Sequence, residues 1–201
     1  LYRAYYAFIR RPLVTSSGEN TQAVFGFMRM IMKLLHDNNP DHLVCVFDSA
    51  GPTFRHEMFS DYKAKRLKAP EDLISQIDAV KEIVPKLGIA AVEMPGYEAD
   101  DLAGTIVQKA CEMGARCTIV SGDKDLLQLV DERTHVLTSR WRFSDTTIYD
   151  VERVKERYEG LAPKQLVDYR GLMGDKSDNI PGVYGVDEKT TTELLKNYGS
   201  L

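Results

Sequence analysis

Three short apolar runs, LVCVF (43–47), IAAVEM (89–94) and CTIVS (117–121), alternate with helical patterns, and that alternation limits the chain to few architectures. Runs of about five apolar residues with no polar alternation suit strands buried on both faces. Helical periodicity covers about 21–37, 71–86 and 98–113. Strand–helix alternation of this kind predicts an α/β fold, a mostly parallel central sheet flanked by helices with right-handed crossovers. From about residue 160 the pattern changes to short helices broken by glycine-rich turns. The expected organisation is an α/β core over 1–159 and a helical part over 160–201.

A length of 201 residues and a hydrophobic fraction of 43% suit one such domain with a buried core and a small appendage. No apolar run reaches the roughly 18–20 residues that span a bilayer, and the start LYRAYYAFIRR lacks the order of a secretory signal. A membrane is therefore not an expected partner, and the expected compartment is the cytoplasm. Cys45, Cys111 and Cys117 form no C-x-x-C pair and read as buried free thiols. The chain lacks an initiating Met and ends abruptly at Leu201, so it reads as a piece of a longer one.

Acidic residues follow each predicted strand. Asp48 follows the first, Glu98, Asp100 and Asp101 the second, and Asp123 and Asp125 the third. Open α/β sheets bind ligands beyond the carboxyl ends of their strands. Asp175 and Asp178, in MGDKSDNIPG, add a fourth cluster from the helical part. Carboxylates so crowded repel one another unless cations lie between them. Oxygen donors without neighbouring His or Cys suit Mg²⁺ or Mn²⁺ rather than zinc. Taken singly, Asp100 or Asp101 could instead serve a helix N-terminus, and Asp123 could cap the helix that begins near Lys124. The net charge of −4 does not exclude a phosphate-binding chain, because a site for divalent cations must itself be acidic.

The connection FRHEMFSDYKAKRLKAPEDL (54–73) is long for a compact domain. It carries Arg55, Lys63, Lys65, Arg66 and Lys68 among Phe54, Phe59 and Tyr62.

Four motifs, VFDSAGPTFRHEMFSDYKAKR, GYEADDLAGT, VSGDKDLLQLV and GLMGDKSDNIPGV, resemble the 5′-nuclease (flap endonuclease) family in order and spacing. The resemblance is nearest to the 5′→3′ exonuclease domain of bacterial DNA polymerase I, and LYRAYYAF looks like the segment after that family's first strand. It implies a PIN/5′-nuclease-like fold and a two-metal site (Mg²⁺ or Mn²⁺) that cleaves 5′ flaps and nicked or gapped duplexes, RNA-primed ends included. Asp48, Glu98, Asp100, Asp101 and Asp123 fall on the positions around the tighter ion, and Asp125, Asp175 and Asp178 on those of its partner. Tyr62, Lys63 and Arg66 match the family's helical arch, with stacking expected of Tyr62 and neutralisation of the scissile phosphate expected of Lys63 and Arg66. Arg170 is expected to face the same phosphate, with Arg55 and Lys65 as further DNA contacts.

The segment IPGVYGVDEKTTTELL (180–195) resembles the family's helix-hairpin-helix. There Gly182, Gly185 and Lys189 would hold duplex phosphate without reading sequence. Asp187 stands where the family usually has a second glycine, and its charge and β-carbon are expected to weaken that grip. The family also carries a metal-binding Asp in a strand ahead of the LYRAYYAF-like segment; the expectation is that this chain is trimmed. The resemblance further implies a bacterial, nucleoid-associated monomer in replication and repair, either fused to a polymerase or standing alone.

Two other readings compete. A related metal-dependent ribonuclease would share the acidic site but not the basic arch or the hairpin. A DNA-binding module with impaired catalysis would explain Asp187 and the absent strand but not eight retained acids. His36, His42, His56 and His135 are too scattered for a histidine site. Trp141 fits either core packing or a surface lid and is assigned no role.

Overall fold

The structure, a computed structural model, describes residues 1–9, 11–139 and 146–201. Trp141 lies outside the described residues. The chain divides into two compact units, one of residues 1–47 and 67–93, the other of residues 48–66 and 94–201.

In the first unit, α1 (Tyr2–Ala7) precedes α2 (Gln22–Asn38), β1 (Val44–Val46), α4 (Glu71–Lys86) and β2 (Ala90–Val92); α3 (Phe54–Met58) belongs to the other unit. Ala23, Phe27 and Ile31 repeat at helical spacing on α2 and are buried. Leu73, Val80 and Val84 do the same on α4. The buried polar residue Gln76 is satisfied by accepting the Ala23 backbone N–H at 2.7 Å, which fixes α4 against α2. α2 stops where Asn39 turns left-handed at φ 39°. Below these helices β1 and β2 pair in parallel, Val44 opposite Ala90.

The second unit holds α3 (Phe54–Met58), α5 (Ala99–Glu112), β3 (Cys117–Val120), β4 (Thr134–Ser139), β5 (Thr146–Tyr149), α6 (Val151–Arg157), α7 (Leu166–Met173) and α8 (Glu188–Tyr198). Its core gathers Ile119, Leu127, Val136, Val154, Leu161 and Leu195 from strand, loop and helix. β3 pairs in parallel with β4, and β4 antiparallel with β5.

The fold is thus α/β with parallel strand pairs and helices, and its carboxyl-terminal part is helical. It departs from the sequence expectation in one respect: among the described residues the strands hydrogen-bond into two sheets, β1-β2 and β3-β4-β5, not one. Neither β4 nor β5 was foreseen. All three cysteines are free and half-buried, a correction to full burial, with the Cys111 and Cys117 sulfurs 3.9 Å apart. Among the described residues no helix is long and apolar enough to cross a membrane.

Candidate active site

All eight acids singled out from the sequence fall within the second unit. Asp48 Oδ1 accepts the Ala99 N–H at 2.8 Å, which ties the loop two residues past β1 to the first turn of α5. Glu98 is the N-cap of α5 and Asp100 and Asp101 lie in its first turn, where unpaired N–H groups favour negative charge.

Asp100 and Asp101 then part company, because successive helix residues project about 100° apart. Part of Asp100 faces solvent, yet desolvation of its carboxyl, together with Asp123, Asp48 and Glu98, pushes its pKa up to about 6 against the pull of Lys63. Asp101 meets the opposite charge. Its two oxygens accept Arg55 Nη1 and Nη2, each at 2.7 Å, and Oδ2 also accepts the Glu98 N–H at 2.9 Å. The Arg55 hydrogen bonds hold its carboxyl below the usual range. Arg55, expected to contact DNA, is engaged here with a carboxylate.

The basic segment supplies further cations. Lys63 adopts φ 56°, an uncommon left-handed conformation, and its Nζ lies 2.6 Å from Glu98 Oε1 and 3.9 Å from Asp178 Oδ2. Arg66 pairs with the other Asp178 oxygen. Tyr62 is only 5% exposed, with its hydroxyl 3.1 Å from both Glu98 Oε2 and Asp178 Oδ2. Desolvation and those two carboxylates raise its pKa well above that of a free phenol. The Lys63 ammonium lies 4.9 Å from the ring centroid and the His56 ring packs edge-on at 5.2 Å. The stacking expected of Tyr62 is therefore not what this conformation offers, because the ring is enclosed. Lys65 is exposed.

Asp123 Oδ1 accepts the Asp125 N–H at 2.9 Å just ahead of the short 3₁₀ turn Asp125–Leu129, whose N-cap position is Lys124. Asp125 Oδ1 is buried and pairs with Arg170 but lies outside hydrogen-bond geometry. Desolvation raises the Asp125 pKa, with Asp123 and Asp175 adding to it and Arg170 opposing. Arg170, on α7, also reaches Asp175 at 3.8 Å. Burial would raise Asp175 too, but donors from Ser177 and Asp178 outweigh it and leave its carboxyl below the usual range.

Loop 175–180 is bolted to the basic segment by two bonds, one of them through Asn179 and Asp61, to which the sequence analysis gave no role. Asn179, left-handed at φ 60°, donates through Nδ2 to the Asp61 carbonyl at 2.8 Å, and the Lys63 N–H donates to the Asp178 carbonyl at 2.9 Å. The signal was available: Asn tolerates that backbone region better than most residues, and it follows Asp178 directly.

The donor chemistry fits a hard divalent cation: the eight acids offer only carboxylate oxygens, with no His or Cys among them. As placed, however, no three His, Cys, Asp or Glu side chains among the described residues gather closely enough to hold an ion. The charges lying among the acids are Lys63, Arg66, Arg170 and Arg55.

In the hairpin, Gly185 has φ 80° with open space where a β-carbon would stand. Gly182 has no positive φ, and a β-carbon there would overlap the carbonyls of Met173 and Leu172. Lys189 is exposed. Asp187 corrects the expectation of strain: its φ is −99°, and its carboxylate accepts the Thr190 N–H at 2.8 Å as the N-cap of α8.

Residues 1–159 match the family model for the 5′-3′ exonuclease N-terminal resolvase-like domain, and residues 161–201 that for the 5′-3′ exonuclease C-terminal SAM fold. The chain is 44% identical over 199 residues to DNA polymerase I of Bacillus subtilis (98% of this chain, 22% of that protein). It is 42% identical over 201 residues to the 5′-3′ exonuclease of Aquifex aeolicus (100% of this chain, 67% of that protein). It thus spans about a fifth of the length of the polymerase relatives it matches. Among solved structures, the T5 D15 protein co-crystallised with metal ions superposes with a TM-score of 0.76 at 20% identity, covering 88% of this chain and 67% of that one. Flap endonuclease-1 from Methanococcus jannaschii gives 0.60 at 22% identity over 98% and 69%. These two likenesses concern the fold.

Proposed function

The chain belongs to the 5′-3′ exonuclease family, and on that premise we propose that it hydrolyses DNA phosphodiesters from 5′ ends and flaps with the help of two divalent ions. Its relatives include both polymerases and a separate exonuclease, so the activity assigned is the one those two kinds of protein share. The domain division we assign is an α/β core over 1–159 and a helical DNA-binding part over 160–201.

One observation carries the reading. Lys63, Arg66 and Arg170 are paired with Glu98, Asp178, Asp125 and Asp175, so acids from separate chain segments and phosphate-binding cations share one locality. A merely structural set of ion pairs has no need of eight acids, two of which, Asp100 and Asp125, have carboxyls driven upward by burial and by neighbouring acids.

Asp48, Glu98, Asp100 and Asp123 would hold one ion, and Asp125, Asp175 and Asp178 the other. Mg²⁺ or Mn²⁺, when bound there, supplies a more acidic water and charge opposite the leaving oxygen. Lys63, Arg66 and Arg170 now pair with those carboxylates and, once the carboxylates were neutralised by cations, would be free to face the scissile phosphate and its developing negative charge. Tyr62 keeps Glu98 and Asp178 oriented through its hydroxyl. Gly185, Lys189 and the hairpin backbone contact duplex phosphates, and exposed Lys65 adds a non-specific contact. The protein acts as a monomer in the bacterial cytoplasm, on flapped, nicked or gapped duplex and on RNA-primed ends.

The test is a 5′-labelled flap incubated with the full-length protein and Mg²⁺ or EDTA. Release of short 5′ products in Mg²⁺ alone supports the reading; an intact flap under both conditions, with duplex still bound, favours a binding module instead.

A further inference from the structure

Two adjacent carboxylates in one helical turn face opposite charges, and only one of them faces the other acids. The neighbours that raise Asp100 are Asp123, Asp48 and Glu98, whereas Asp101 has both oxygens on Arg55 and one on the Glu98 N–H. A carboxylate offers about four acceptor positions, and three of those on Asp101 are filled by these donors.

We propose that Asp101 is a positioning residue, not an ion ligand: with Arg55 it locks the first helix of the basic segment to the amino-terminal turn of α5, and so sets where Lys63 stands against Glu98. This rests on the nuclease reading above and adds to it.

The clamp has three parts. Arg55 lies on α3, seven residues before Tyr62 in a segment that turns directly into Lys63. The Phe54 N–H donates to the Gly96 carbonyl at 3.1 Å, pinning the start of α3 to the loop ahead of α5. The Arg55 guanidinium lies 4.6 Å from the Phe54 ring centroid, and that ring meets Tyr97 at 5.8 Å. A planar fork stacked on a ring and bonded twice to one carboxylate fixes orientation as well as distance. The side chains of Arg55 and Asp101 are 33% and 22% exposed, so water competes only in part. At the N-cap of the same helix, Glu98 takes the Lys63 ammonium. If the clamp is loosened, α3 is free to move and Lys63 loses its register on Glu98, while the acids around Asp100 stay in place.

The experiment uses the full-length protein with Asp101→Asn, Arg55→Gln, Arg55→Lys, the Asp101→Asn/Arg55→Gln double variant, and Asp100→Asn as the ligand control. Mn²⁺ binding is followed by the electron paramagnetic resonance of the free ion, without DNA, and cleavage of a 5′-labelled flap gives kcat and KM. Asp101→Asn and Arg55→Gln are expected to bind as many Mn²⁺ ions as the wild type, within about threefold in affinity, yet to lose about 10–100-fold in kcat with KM nearly unchanged. The double variant should be no slower than the slower single variant, because both remove one contact. Arg55→Lys keeps the charge without the fork and should recover little.

Asp101→Asn weakening Mn²⁺ as much as Asp100→Asn would make Asp101 a ligand and overturn the proposal; so would additive losses in the double variant. Should Asp101→Asn fail to fold, the two Arg55 variants put the same question from the other partner. A wild type that binds Mn²⁺ but cuts no flap contradicts the nuclease reading, and the Mn²⁺ titration of Asp101→Asn still decides whether that residue is a ligand.

Discussion

Lys63 Nζ sits 2.6 Å from Glu98 Oε1, and both side chains are largely buried, at 20% and 14% exposure. A lysine held this way neutralises a carboxylate, and in the proposed reaction it exchanges onto a phosphate. The left-handed backbone of Lys63 and the bond from its N–H to the Asp178 carbonyl show that the surroundings fix its placement.

Lys63→Ala should separate chemistry from ion binding. Removing the ammonium leaves Glu98 and Asp178 with one competitor fewer, so Mn²⁺ affinity should hold or improve. Single-turnover cleavage should fall by about 10²–10³, the range for losing one preorganised charge at a reacting phosphate. Equal losses of ion binding and cleavage in the same preparation would contradict the role.

Asp100 gives stability a pH dependence with a definite sign. Its pKa is raised to about 6 in the fold, so folding takes up a proton there between the unfolded value and about 6. Its contribution is therefore fully favourable below the unfolded pKa and is lost as pH rises through about 6. Asp101 and Asp175 are lowered, so their contributions are present above the unfolded pKa and fade only in stronger acid. In EDTA, melting curves from pH 4.5 to 7 should show a downward Tm component that Asp100→Asn flattens and that Mg²⁺ reduces by favouring the carboxylate. A variant whose Tm profile runs parallel to the wild type would contradict the assignment.

Asp187→Ala should lower Tm by about 2–4 °C through loss of the α8 cap. Asp187→Gly should cost less stability and strengthen duplex binding, because a negative charge leaves the hairpin. Filter binding at two salt concentrations and thermal melts check both; unchanged duplex affinity would remove Asp187 from the interface.

Gly174→Ala tests the loop that carries Asp175 and Asp178. Gly174 has φ 67°, and a β-carbon there would overlap the Gly182 N and the Ile180 carbonyl. A loss of about 2–4 kcal/mol in denaturant unfolding is expected from strain and clash together. An unaffected midpoint would mean that the turn can be rebuilt.

The first three groups of acids were legible because each comes shortly after an apolar run, and α4 because Pro70 and two acids mark its start ahead of periodic apolar residues. β4 was not, since THVLTS is mostly polar and owes its buried Val136 and Leu137 to pairing with β3 and β5. Which cation meets which acid was equally hidden: Lys63 and Asp178 stand 115 residues apart, and only the folded loop joins them. Asp100 and Asp101 look alike in sequence, and helical phase alone sets one toward acids and the other toward Arg55. Arg55 itself was read from its basic neighbours, although its partner lies in another segment.

The account stands on carboxylates from distant stretches of chain sharing two small hard cations, although as placed no three of them surround one point. Crystals of the full-length protein grown with Mn²⁺ give the most direct test, through an anomalous difference map. Two peaks about 3.5–4 Å apart, one against Asp48, Asp100 and Asp123 and the other against Asp125, Asp175 and Asp178, are the predicted result. A map with no peak among these residues, with Lys63 still on Glu98 and Arg170 still on Asp125 at saturating Mn²⁺, would contradict it.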